Sequence, residues 1–268
     1  MSRRPSPMTL AVAVLGTVFA LFFLLPFVGL VWRAIDDPRA REALGDPSVA
    51  TALRISMLTT SVSVTLSLLF GTPAAYLLAR RQVPGGAVLD ALLDLPIVLP
   101  PTVAGVALLT AFGRRGLLGE PIEALTGLAL PFTMLAVIVA QTFVAAPLYV
   151  RAARAGFEAV DPELEAIART LGASRAHVFR RITLPLARGP LLAGLVLCWA
   201  RALGELGATL IFAGSLVGRT QTLPLAVVAA FEGGPLGLPG AVALSLLLLA
   251  TAVALLAVLR LAAKRGLT

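Results

Sequence analysis

The chain has 268 residues, 58% of them hydrophobic and 13% charged, and its mean hydropathy is +0.94. A soluble domain of this size cannot bury so much apolar surface, so the composition excludes a soluble enzyme or binding module and points to a polytopic membrane protein. The net charge of +8 is carried almost wholly by arginine; without interleaved aromatics it fits basic loops on anionic lipid headgroups, and nucleic acid is not an expected partner.

A helix needs about 20 apolar residues to cross the hydrocarbon core. Six segments qualify, roughly 9–32, 52–79, 88–112, 128–150, 190–212 and 239–260. In lipid every backbone donor and acceptor must be satisfied within its segment, and these runs are too long and too continuously apolar for barrel strands. The expected fold is therefore all-α and integral to the membrane, with six transmembrane helices. The first run, Met8 to Val31, follows Arg3 and Arg4 but exceeds the length of a signal core, and no small-residue cleavage site follows it. It reads as a retained span.

Alternating the connections puts Arg3, Arg4, Arg80, Arg81, Arg151, Arg154, Arg169, Arg175, Arg180, Arg181, Arg188, Arg260, Lys264 and Arg265 on one side. Arg33, Arg39, Arg41, Arg114, Arg115 and Arg219 fall on the other, while Arg54 and Arg201 lie inside spans. The richer side is the cytoplasmic one, so both termini are expected inside and the acidic stretch 36–47 outside. No internal repeat or low-complexity linker interrupts what reads as one membrane domain over residues 1–268.

The third span carries Pro96, Pro100 and Pro101, followed by Thr102, with Asp90 and Asp94 at its start. Prolines remove backbone donors and break the helix, which is tolerated at depth where the chain lines a cavity or is covered by protein. A gate and a plain bent re-entry both fit.

The connection between the fourth and fifth spans, residues 151–189, is the longest on the basic side. Asp161 is a natural helix cap, Pro162 fits the first helical position, and Glu163 and Glu165 suit the positive end of the dipole. Leu164, Ile167, Ala168 and Leu171 recur at helical spacing as one apolar stripe. Gly172 can adopt the left-handed conformation that stops a helix, and Ser174 caps a second one. Pro185 and Pro190 are expected to end that second helix before the fifth span. The stripe suits a partner protein's groove, or a helix lying on the membrane surface.

In the fifth span Arg201 and Glu205 stand four residues apart and can pair. Ionisable groups at membrane depth face a cavity or a partner helix, so the pair reads either as part of a path or as a structural link. Ala200, Gly204 and Ala208 form a small-residue row suited to close packing. The single histidine, His177, and single cysteine, Cys198, read as ordinary helix residues and exclude a disulfide or a cysteine-rich metal site.

Gly172, nine residues, and then Ile182-Thr183-Leu184-Pro185 resemble the EAA loop of the permease subunits of bacterial ABC importers. In that family the first short helix docks into a groove of a separate ATPase. The resemblance implies that Asp161, Glu163, Leu164, Glu165, Ala166, Ile167, Ala168, Leu171, Gly172, Ala173 and Ser174 make the ATPase-coupling element. Counting back from Gly172, the Glu-Ala-Ala positions fall on Ala166, Ile167 and Ala168, with Glu165 one position earlier.

Three further stretches, LPIVLPPTVAGVALL (95–109), ARALGELGATLIFAG (200–214) and GRTQTLPLAVV (218–228), are similar to the molybdate permease subunits of bacteria. The likeness covers about Leu53 to Leu259. It implies a type I ABC importer permease fold in the bacterial inner membrane and a homodimer. It further implies cytoplasmic ATPase subunits and a periplasmic or lipid-anchored molybdate-binding protein. Pro96, Pro100, Pro101, Thr102, Arg201, Glu205 and Thr209 would then belong to the translocation path or gate.

The chain's one lysine, Lys264, is followed by arginine, so no P-loop is present. No cofactor or metal is expected on this chain, and ATP and magnesium would sit on the partner ATPase. Sulfate/thiosulfate and tungstate permeases share the first two stretches in looser form. A stand-alone secondary anion transporter would need its own coupling carboxylate; Glu205 has an arginine four residues away. A membrane enzyme would need a catalytic constellation, and none is seen.

Overall fold

A computed structural model describes residues 7–80 and 84–265, with the side chains of residues 7 and 259–265 excepted. Arg3, Arg4 and Arg81, and the side chains of Arg260, Lys264 and Arg265, all used in the charge count, lie outside the described residues. All regular structure among the described residues is helical.

Helix α1 (Pro7–Asp36) leads through the short α2 (Pro38–Ala43) to α3 (Pro47–Ala79). Two aspartates start these helices. Asp37 accepts from the Arg39 amide at 3.0 Å and Asp46 from the Ser48 amide at 2.8 Å, each before a proline at the first helical position. The bonds to Ser48 hold the Asp46 carboxyl below the usual range. Then come α4 (Gly86–Val98), α5 (Pro101–Phe112) and α6 (Gly119–Thr126), followed by α7 (Met134–Glu158). The connector holds α8 (Pro162–Thr170) and α9 (Arg175–Val178), and the chain closes with α10 (Leu184–Leu203), α11 (Gly207–Ala213), α12 (Leu223–Phe231) and α13 (Gly237–Arg265).

Among the described residues, five helical rods are long and apolar enough to cross a membrane: α1, α3, α7, the rod Arg175–Leu203 and α13. The segment 88–112 forms two helices of 13 and 12 residues. At 1.5 Å per residue each reaches about 20 Å, short of a bilayer core. The break follows from Pro100 and Pro101. A residue before proline is driven out of the α region, so both Leu99 (ψ 137°) and Pro100 (ψ 136°) are extended. The segment 190–212 is likewise broken, at residues 204–206. Gly204 has low helical propensity, and the Glu205 side chain accepts from the Ala208 amide at 2.8 Å, starting a new helix.

The expected stop at Pro185 and Pro190 is not observed, and this corrects the sequence expectation. Residues Phe179–Thr183 form one π-helical turn, in which the Leu184 amide donates to the Phe179 carbonyl. The wider turn places Pro185 in the first turn of the next regular helix, where its missing donor costs little. One rod therefore runs from Arg175 to Leu203.

Helix α7 is the hub, packed on α3, α10 and α11. Tyr149, Phe157, Ala145 and Ala153 are fully buried. Small residues let the rods close on it: a Cβ at Gly71 would stand 3.0 Å from the Tyr149 ring, and one at Gly194 2.7 Å from the Ala152 Cβ. A hydroxyl seam joins α3 to α7, with Ser63 donating to the Ile138 carbonyl at 3.1 Å and Gln141 to Thr60 at 3.4 Å. By contrast, α1 is exposed along nearly its whole apolar length.

Helices α5 and α11 pack most tightly at Gly105, where a Cβ would stand 2.7 Å from the Ile211 Cβ and 3.0 Å from the Ala208 backbone. Gly105→Ala should therefore lower stability by about 1–3 kcal/mol, read as a lower thermal midpoint in detergent. Gly189→Ala, at a helical site with nothing within 4 Å, should leave that midpoint unchanged or raise it. A Gly105→Ala chain as heat-stable as its parent contradicts the close packing.

Candidate functional site

Two places in the fold gather the residues singled out by sequence. The first is the connector between α7 and the Arg175–Leu203 rod. Asp161 caps α8, accepting from the Glu163 amide at 2.9 Å, and Pro162 takes the first helical position. The helix ends in a paired turn: the Gly172 amide donates to the Arg169 carbonyl and the Ala173 amide to the Ala168 carbonyl, both at 3.0 Å. Gly172 has φ +87°, and a Cβ there would meet nothing within 4 Å. Glycine is needed for backbone freedom and not for space. Ser174 then caps α9, accepting from the His177 amide at 3.3 Å. Caps at both ends make α8 a short rigid body about 14 Å long.

The outer face of α8 carries Leu164, Ile167 and Leu171, exposed to 45%, 57% and 83%. Asp161, Glu163, Ala166, Gly172 and Ser174 are also exposed, and Ala168 and Ala173 are half-buried. An apolar stripe so open on a polar connector has no seat among the described residues.

Glu165 points the other way and is 7% exposed. Its Oε1 lies 2.5 Å from Arg80 Nη2 and accepts from the fully buried Thr183 hydroxyl at 2.7 Å. Arg80, the residue just past the end of α3, also donates to the carbonyls of Phe157 at 3.0 Å and Val160 at 3.4 Å. Its guanidinium carbon is 5.8 Å from the centre of the Tyr76 ring. Beneath it, Tyr76 packs edge-on against Phe157 and Phe179, with ring centres 5.5 and 5.1 Å apart. Sequence reasoning counted Arg80 only as a loop charge. Its partner lies 85 residues away, and no local pattern marks the pair.

The second place joins the two broken helices. Gly207 meets Pro101, since a Cβ there would lie 2.6 Å from the proline Cβ and 3.4 Å from the Thr102 amide nitrogen. The break before α5 therefore stands against the break before α11. Pro96 is buried, while Pro100, Pro101 and Thr102 are exposed. Glu205 is 1% exposed and pairs with Arg201 at 2.5 Å. The expected pair forms, but across the helix end and not along one helical face. The Arg201 side chain remains 32% exposed, so part of its guanidinium stays open beyond the Glu205 pair. Thr209 is fully buried, and its hydroxyl has no hydrogen-bond partner among the described residues.

Two bridges tie α4 to α7: Arg151 to Asp94 at 2.6 Å and Arg154 to Asp90 at 2.5 Å. Arg154 also meets Glu158 at 2.8 Å. In the sequence these aspartates mark only the start of a span. His177 is exposed and Cys198 buried. Among the described residues no group of three or more His, Cys, Asp or Glu is arranged to hold a metal.

Residues 67–265 match the family described as binding-protein-dependent transport system inner membrane component. The molybdenum transport system permease protein ModB of Mycobacterium tuberculosis is 43% identical over 240 residues, covering 90% of this chain and 88% of that one. The molybdate/tungstate transport system permease protein WtpB of Thermococcus kodakarensis is 41% identical over 202 residues, covering 75% and 76%. Among solved structures, a chain of a bacterial alginate ABC transporter, crystallised in complex with an alginate pentasaccharide-bound periplasmic protein, aligns with a TM-score of 0.70. It covers 96% of this chain and 94% of that one at 16% identity, a likeness of fold.

The Arg201–Glu205 pair makes its own prediction. Glu205→Ala strands a partly buried guanidinium and frees the Ala208 amide, and should cost about 3 kcal/mol of stability. Arg201→Met with Glu205→Met should recover much of that loss, as read by thermal unfolding in detergent. Equal stability of Glu205→Ala and the parent contradicts a structural part for the pair.

Proposed function

The chain belongs to the family of binding-protein-dependent transport system inner membrane components, and from that premise we propose that it is the transmembrane permease subunit of an ATP-driven importer of molybdate. The relatives named for molybdenum transport support the substrate. A second reading, tungstate, is favoured by the WtpB relative, whose name carries both oxyanions. Both are tetrahedral dianions, and nothing in Arg201 or its neighbours separates them; a soluble binding protein makes that choice.

In this reading the whole chain, 1–268, is one permease domain in the bacterial inner membrane. It crosses six times, with α4 and α5 together making one crossing and both termini in the cytoplasm. Two copies form the path. A periplasmic or lipid-anchored protein delivers the oxyanion from outside, and two ATPase subunits, which hold the ATP and magnesium, dock from the cytoplasm. This chain carries out no chemistry of its own.

The observation that carries the reading is α8: a rigid, doubly capped helix presenting Leu164, Ile167 and Leu171 to solvent at the tip of a connector. Helix-in-groove docking needs such anchors at i, i+3 and i+7. Closure of the ATPase pair on ATP displaces the docked helix. Short linkers on either side, residues 159–161 and 171–174, pass the displacement to α7 and to the rod ending at Leu203. That rod, carrying Arg201, ends at the second break, where Gly207 stands against Pro101 and Thr102. Backbone already broken there can rearrange without rupturing a helix, and half-exposed Arg201 offers donors to a passing dianion without binding it tightly.

Co-expression with the adjacent ATPase and reconstitution into proteoliposomes test this. The two should purify together, and molybdate- or tungstate-loaded binding protein should stimulate ATP hydrolysis while sulfate-loaded protein should not. Gly172→Pro, impossible at φ +87°, should lower molybdate uptake at least about tenfold while the chain still inserts in the membrane. Failure to capture an ATPase, or wild-type uptake by Gly172→Pro, overturns the reading.

A further inference from the structure

Glu165 is the only buried side chain on α8. The helix that takes the load is thus held to the bundle by a carboxylate and not by an apolar face. An apolar seat would hold a helix of this size at lower desolvation cost, so the pair supplies direction more than adhesion. The contacts define that direction. Through Arg80 the carboxylate reaches the end of α3, and the same guanidinium binds two carbonyls at the end of α7. Through the Thr183 hydroxyl it reaches the π-helical turn that follows α9 in the Arg175–Leu203 rod. The residue after α3 and the π-helical turn meet on one carboxylate oxygen, and the end of α7 joins them through Arg80.

Resting on the reading of α8 as the ATPase-docking helix, we infer that Arg80, Glu165 and Thr183 form a latch that positions α8 and distributes its displacement into α3 and α10 as well as α7. These are positioning residues; none of them touches the transported anion. The chain linkage alone joins α8 to α7 and α9, its sequence neighbours. The latch joins it to the end of α3, whose hydroxyl seam with α7 and bond to the start of α12 (Leu223 amide to Ser56 at 2.7 Å) extend to the far end of the bundle. Without the latch, α8 still presents Leu164, Ile167 and Leu171 and still docks. Its movement is then absorbed in the flanking turns, and ATP is hydrolysed without transport.

The readout is molybdate transported per ATP hydrolysed, in proteoliposomes holding the full complex and its binding protein. Three variants are compared with the parent: Glu165→Gln, Thr183→Val, and the double Arg80→Met/Glu165→Met, which leaves no unpaired buried charge. The double variant should retain its ATPase on purification but lose about tenfold in transport per ATP; Thr183→Val should lose about threefold. A double variant that assembles and keeps the parent's ratio overturns the latch. So does loss of the ATPase from that variant at full expression, since docking would then depend on the buried pair and not on the exposed stripe. A parent chain that captures no ATPase is a different failure, and removes the docking reading on which the latch rests.

Discussion

The buried contact between Glu165 and Arg80 is the point on which the rest of the molecule turns. A charged pair withdrawn from water is costly unless its geometry is good and its spare hydrogen-bonding capacity is used. Here the carboxylate has Thr183 as a second donor, and the guanidinium has two carbonyls at the end of α7. Arg80 lies 85 residues and Thr183 lies 18 residues from Glu165, so the contacts form only when the end of α3, α8 and the π-helical turn are brought together. The same constraint sends the apolar residues of α8 outward, because the inward face is committed to a polar partner.

A second constraint is the lipid itself. A backbone in hydrocarbon must satisfy its own polar groups, so an interrupted helix at depth needs cover. Among the described residues two such breaks, before α5 and before α11, stand against one another. Pro101 stands against Gly207, and Glu205 caps the helix that follows its own break. Neither break would be stable alone in a lipid-facing rod. They stand together at the end of the Arg175–Leu203 rod. The aspartate bridges from α4 to α7 keep the half-helix before the proline break fixed to the hub.

What the sequence revealed and what it hid divide along the distance between partners. The helix caps at Asp161 and Ser174, the stop at Gly172 and the apolar stripe of α8 are set by neighbours within a few residues, and they are legible as local chemistry. So was the proline break, because two successive prolines exclude helical backbone before them. The π-helical turn was not legible: a single widened turn leaves the apolar periodicity almost intact, and Pro185 looked like an end when it is an early residue of a continuing rod. The break after Leu203 was hidden because Arg201 and Glu205, four residues apart, look like a pair on one continuing helix. Arg80, Arg151 and Arg154 were counted as charges on a membrane side, which is a statement about solvent. Their roles are set by carboxylates 85 and 57 residues away for Arg80 and Arg151, and by Asp90 for Arg154.

The central claim is that the exposed face of α8 is a docking surface for a separate ATPase. The most direct measurement is photo-crosslinking in intact membranes from a reactive residue placed at Ile167, with Ala176 on the exposed part of α9 as a second position. The account predicts that the Ile167 probe captures the ATPase as its main protein adduct, and does so more strongly than the probe at Ala176. Adducts from Ile167 with lipid alone would mean that α8 lies on the membrane surface, and would contradict the account.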